Sequence, residues 1–152
     1  MSQQLKFIAS VFKMVIAESN NVMGPETVQT IFRLIGENQG EAIERRLRLK
    51  YKTDNWKPEE FAEHFIKDVI EPALGGDGNA TYKINNDEIT VTVKVCPFKA
   101  ANLKISDKLF CTYTEGMIDN AFKKALKNKA EFMTDHLIAD REPDCAFKIK
   151  VK

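Results

Sequence analysis

The chemistry available to this chain centres on three cysteines, Cys96, Cys111 and Cys145, and on His136, one of its two histidines. Three thiols and an imidazole have the donor chemistry of a tetrahedral zinc site. The closely spaced cysteine pair by which such sites are recognised is absent, so three readings stand open. The thiols pack as small hydrophobes, or they hold a metal, or one of them is a nucleophile. A nucleophilic cysteine needs a neighbouring base or cation to lower its pKa. In that reading Cys96 or Cys111 attacks and His136 serves as the base. No G-x-S-x-G, H-E-x-x-H, phosphate loop or dinucleotide fingerprint occurs in the chain.

A second set of residues has the chemistry of a pocket. Ile31 and Ile35 fall on one helical face, and Phe61 and Phe65 on another. Together they are expected to line an apolar site between the amino-terminal helices and the sheet. His64 and Tyr113 are the polar groups that would orient a ligand there, since such sites are mostly apolar with a few placed polar atoms. Asp68 lies one turn beyond His64. Trp56, the single indole, is read as packing.

The elements that position these residues follow from periodicity. Residues 2–19 have helical period, with Leu5, Ile8, Phe12, Val15 and Ile16 on one face. Phe7, Val11 and Met14 widen that face, which predicts a helix buried on more than one side. Gly24-Pro25-Glu26 starts a second helix, with proline at its first position and an acid near its positive end. Gly36 and Gly40 lie four apart on this helix and each costs about 1 kcal/mol against alanine. They predict either a close approach of another element or a break between two helices. The basic run Arg45, Arg46, Arg48, Lys50 and Lys52 reads as a solvated helix end.

Lys57-Pro58-Glu59-Glu60 starts a third helix, and Gly75-Gly76-Asp77-Gly78 stops it. Beyond that point the period switches to two. Residues 80–84 and 88–96 predict a hairpin turning at Asn85-Asn86-Asp87, with Ile89, Val91, Val93 and Val95 alternating against polar neighbours. Ser106-Asp107 can cap a helix that runs to residue 128, with Cys111 on its core-facing stripe. Residues 131–139 and 144–151 predict a last pair of strands, with Cys145 facing the core. The expectation is one α+β domain over 1–152, helical to residue 75 and hairpin–helix–hairpin from residue 80, with an antiparallel sheet.

With 152 residues the chain can bury about two-thirds of its unfolded surface, so the cysteines are not needed for folding. Lys plus Arg is 23 against 22 for Asp plus Glu, which argues against a nucleic-acid partner. No apolar run reaches the ~20 residues that span a bilayer, and no export signal is visible at the amino terminus. A cytoplasmic location is the expectation.

The stretch Gly24-Pro25-Glu26-Thr27-Val28 through Ile35-Gly36-Glu37-Asn38-Gln39-Gly40 resembles the amino-terminal signature of the 4-vinyl reductase domain family. Cys111-Thr112-Tyr113-Thr114-Glu115-Gly116 and Asp144-Cys145-Ala146-Phe147 are similar to that family's carboxy-terminal cysteine region. The resemblance implies an α+β fold shared with haem nitric-oxide sensors and Golgi transport-complex subunits. It implies binding or sensing of a small apolar molecule rather than catalysis, and in some members zinc held by cysteines and an acid. Cys111 and Cys145 match the outer cysteines, whereas Thr134-Asp135-His136-Leu137 departs from the inner acid and cysteine. Cys96 or His136 would then have to complete a zinc site with Cys111 and Cys145, or the zinc has been lost; the full candidate set is Cys96, Cys111, Cys145 and His136. Cys96-Pro97-Phe98 is also similar to the start of a related group of cysteine-containing hydrolases, and the transport relatives imply a structural or assembly subunit. A ligand-sensing chain with no output module would signal through a partner or a homodimer.

Overall fold

The computed structural model describes residues 2–152. Helix α1, Gln3–Met23, opens with the Ser2 hydroxyl accepting the Leu5 N–H at 3.2 Å. It stops at Gly24, whose φ of 84° is left-handed and open to glycine at no steric cost. Pro25 then starts α2, Pro25–Tyr51, at the position where a missing N–H costs nothing. The helix is continuous through Gly36 and Gly40, so of the two expectations the close approach is the one observed.

The element that approaches is α6, Leu109–Ala125. A β-carbon at Gly36 would overlap the Tyr113 carbonyl oxygen, and one at Gly40 the Met117 carbonyl oxygen. From the other side, a β-carbon at Gly116 would sit 2.6 Å from the Arg33 carbonyl oxygen. Three glycines thus let two helix backbones touch. Polar groups lock the contact. Asn120 donates to the Glu37 carbonyl at 2.6 Å, and Arg33 bridges Asp119 of α6 and Glu37 of its own helix.

Helix α3, Pro58–Phe65, leads without a break into one turn of π-helix, Ile66–Ile70, and a short α4, Glu71–Ala73. Pro72 has no N–H with which to close an α-turn onto Asp68, which favours the wider turn just before it. Four antiparallel strands follow in the order β1-β2-β4-β3: β1 Ala80–Asn85, β2 Glu88–Val93, β3 Ala130–His136 and β4 Cys145–Val151. The short helix α5, Pro97–Ala100, and α6 connect β2 to β3 across β4. This is the expected α+β class with an antiparallel sheet. The alternation along β2 gives the register Ile89 with Ile149, Val91 with Phe147 and Val93 with Cys145. Helices α3 and α6 pack on the sheet, α2 lies against α6, and α1 lies against α2. Phe61, Phe65 and Phe122 form the centre of the core, with Phe61 and Phe122 edge to face at 5.0 Å.

Three expectations about elements are corrected. Strand β2 ends at Val93 rather than residue 96, because Cys96 caps α5 through its sulfur at 3.5 Å from the Lys99 nitrogen. Strand β3 ends at His136, and residues Ile138–Asp140 form a 3-10 turn. Helix α1 buries none of its side chains, although its apolar face was expected to be covered on more than one side. Among the described residues, no helix is long and apolar enough to cross a membrane.

Candidate functional site: an apolar cavity beside α2

A cavity of about 930 Å³ lies along α2, walled by α1, the π-turn with α4, α5 and α6. Its size is at the upper end of the roughly 300–1,000 Å³ range of small-molecule sites. Helix α2 presents one stripe to it: Val28, Ile31, Phe32 and Ile35, then Gln39, Ile43 and Arg46. Helix α1 contributes Phe12, Val15, Ser19 and Met23, and the π-turn contributes Asp68, Val69 and Ile70.

One end is aromatic. Phe32 meets Phe110 edge to face at 5.8 Å, and Phe12 lies 6.4 Å from Phe32 and 6.2 Å from Phe110. Phe98 of α5 stacks on Phe110 at 4.6 Å and meets Tyr113 edge to face at 6.2 Å. Burial pushes the Tyr113 hydroxyl above its ordinary value, so it stays protonated at neutral pH and can donate a hydrogen bond.

The other end is polar. Asp68 accepts from Lys50 Nζ at 2.6 Å and from the Tyr51 hydroxyl at 2.7 Å. Burial alone would raise the Asp68 carboxyl, but those two hydrogen bonds outweigh it and hold the carboxyl below its usual value. Arg46 stands at the same end of the α2 stripe, exposed.

Of the six expected pocket residues, the structure brings Ile31, Ile35 and Tyr113 to this cavity. It places Phe61 and Phe65 in the solid core instead, with no exposed surface, because their face of α3 packs against Phe122. His64 lies outside the cavity too, stacked on the Tyr51 ring at 3.6 Å. Sequence reasoning missed Phe12, Phe32, Phe98 and Phe110. Their one signal was a surplus of apolar side chains on the first helix; their meeting from four separate segments carried none.

The cysteine region is the expected metal centre. Burial and the nearby Cys145 and Cys96 push the Cys111 thiol up to about 12, so the three sulfurs do lie within electrostatic reach of one another. Burial also raises the Cys145 thiol, whose sulfur accepts the Ile138 N–H at 3.2 Å. His136, however, is fully engaged: Nδ1 meets Asp135 at 2.9 Å and Nε2 meets Asp144. Among the described residues, no group of three or more His, Cys, Asp and Glu side chains is arranged to hold a metal ion. The expected set Cys96, Cys111, Cys145 and His136 is not brought together as such a group in this arrangement.

Comparison with known proteins then places the chain. The model of the methanogen output domain 1 family matches residues 14–150. The chain belongs to that family. The family shown is thus a different one from the 4-vinyl reductase domain that the short motifs resemble. No curated protein matches the sequence. Among solved structures, the fold of this output domain is similar to that of a trafficking protein particle complex subunit 3 from Naegleria fowleri, covalently bound to palmitic acid. The TM-score is 0.64 at 13% identity, covering 98% of this chain and 95% of that one. It is also similar to the phenol-responsive sensory domain of the transcription activator PoxR with phenol, at TM-score 0.59 and 12% identity, covering 93% of this chain and 73% of that one. These likenesses establish the fold shared with a transport-complex subunit.

Proposed function

We propose that this output domain is a cytoplasmic receptor domain for a small apolar molecule, of the ligand-binding type that the 4-vinyl reductase resemblance implied. The observation that carries the reading is the aromatic end of the cavity, where Phe12, Phe32, Phe98 and Phe110 from four segments surround one apolar space. A core assembled only for stability would close that space, since protein interiors pack to near crystal density. The two structural neighbours support the reading, because one carries palmitic acid and the other phenol.

The test is titration with the neutral fluorophore N-phenyl-1-naphthylamine. The wild type should bind it saturably, and Ile31→Trp, which narrows the cavity beside Phe32, should weaken binding while leaving circular dichroism unchanged. Equal binding by the narrowed variant would overturn the proposal.

The exposed apolar face of α1 favours a second reading, association of the domain with a second copy or a partner subunit. Phe7 is 71% exposed and Val22 81%, and exposed apolar patches of this kind mark interaction surfaces. Light scattering should then report a homodimer that Phe7→Ser weakens; a strict monomer at high concentration removes the homodimer.

A further inference from the structure

The proposed binding site says nothing by itself about the far end of its ligand, and the charge pattern along α2 does. Arg46 is the only arginine or lysine that lines the cavity, and it forms no ion pair with a carboxylate among the described residues. Asp68, the one acid of the lining among the described residues, already has two partners, Lys50 and Tyr51. The cavity therefore runs from an aromatic end at Phe32 to a guanidinium whose charge is unanswered. Phe32 and Arg46 are fourteen residues apart on one continuous helix, which spans about 21 Å. That length suits a long acyl chain better than a single ring.

We infer that the occupant is a long-chain monocarboxylate, held without a covalent bond, and that Arg46 is the residue that selects it. The inference rests on the binding reading above. The carboxylate meets Arg46, whose planar fork matches a carboxylate with two parallel hydrogen bonds, and the alkyl chain runs along Ile43, Ile35 and Ile31 toward the phenylalanines. No cysteine lines the cavity among the described residues, so no thiol is available there to hold the acyl group as a thioester. Lys50 adds positive charge nearby but is committed to Asp68 at 2.6 Å, which leaves Arg46 as the head-group contact.

The experiment is competition for bound N-phenyl-1-naphthylamine by hexadecanoate and by hexadecan-1-ol, each delivered from cyclodextrin at neutral pH. Wild-type protein should prefer the acid by roughly tenfold or more, the size expected of a hydrogen-bonded charge pair. In Arg46→Gln the preference should collapse toward one with the alcohol's affinity unchanged. Arg45→Gln, on the neighbouring exposed arginine outside the cavity, should keep it. Equal affinity for acid and alcohol in the wild type, or a preference that survives Arg46→Gln, overturns the inference and leaves the apolar-receptor reading intact. Displacement by neither compound while the fluorophore still binds has the same meaning. Failure of the fluorophore itself to bind overturns both.

Discussion

Along α2, Ile43 and Leu47 are shut away from solvent, whereas along α1 no side chain is. Both helices carry abundant apolar side chains, so hydrophobicity does not separate them. What separates them is backbone approach. Helix α2 has glycines where α6 comes near, and α6 has Gly116 in return, so that side of α2 is sealed by close contact and by the Asn120–Glu37 hydrogen bond. Helix α1 has no such site. It stands off far enough to leave a cavity on one side and an uncovered apolar face on the other. The same hydrophobic driving force therefore yields a rigid seam in one place and a receptive surface in the other.

The sharpest way to break this comparison is Gly40→Ala. Helix propensity alone predicts stabilisation by about 1 kcal/mol. The seam predicts the opposite sign, because the new β-carbon meets the Met117 carbonyl and the Ala121 nitrogen, both backbone. Urea denaturation should show a net loss of about 1–3 kcal/mol, and a gain would show that the two helices can separate at little cost.

A smaller effect is expected away from the seam, where His136 ends β3. His136 is raised above its ordinary value by hydrogen bonds to Asp144 and then Asp135. Its protonated form is thus favoured in the folded state. That contribution is complete below the unfolded-state value of about 6.5 and is lost as pH rises through the higher folded value. Melting temperature should fall over that interval in the wild type, and the fall should be reduced in His136→Gln. An unchanged slope in the variant would assign the pH dependence elsewhere.

The smallest effect should come from α1. Phe7→Ser removes a side chain that is already mostly in water, and should change stability by under about 0.5 kcal/mol in the same urea assay. A loss comparable to that of Gly40→Ala would mean that α1 is part of the cooperative core after all, and the contrast between the helices would fail.

Much of the architecture was legible. The alternation Ile89, Val91, Val93 specified which face of β2 is buried, since strand side chains alternate with period two. Pro25 and Pro58 marked helix starts because proline costs least there, and the Gly36–Gly40 spacing offered a close neighbour as one of two readings, without naming it. The helix-to-sheet switch after Gly78 was equally plain. The candidate site was legible only in part. Ile31 and Ile35 line the cavity, whereas Phe61 and Phe65 have the same periodic signature and lie in the solid core. Period tells which face of a helix is apolar and not whether its neighbour is protein or space. The shared end of β3 and β4 shows the same limit. His136 was grouped with the cysteines by donor chemistry, yet Asp144 reaches it across the turn and takes its Nε2.

The sequence by itself determined the local choices of this protein: where helices begin and end, which strand faces are apolar, and where two backbones are able to touch. These depend on steric and periodic rules that act over a few residues. Only the tertiary structure decided that α1 stays exposed, that four phenylalanines converge, and that Arg46 stands at the end of an apolar cavity with no ion pair among the described residues. Those outcomes depend on which distant surfaces meet, and the free energy of a contact is set by both partners at once.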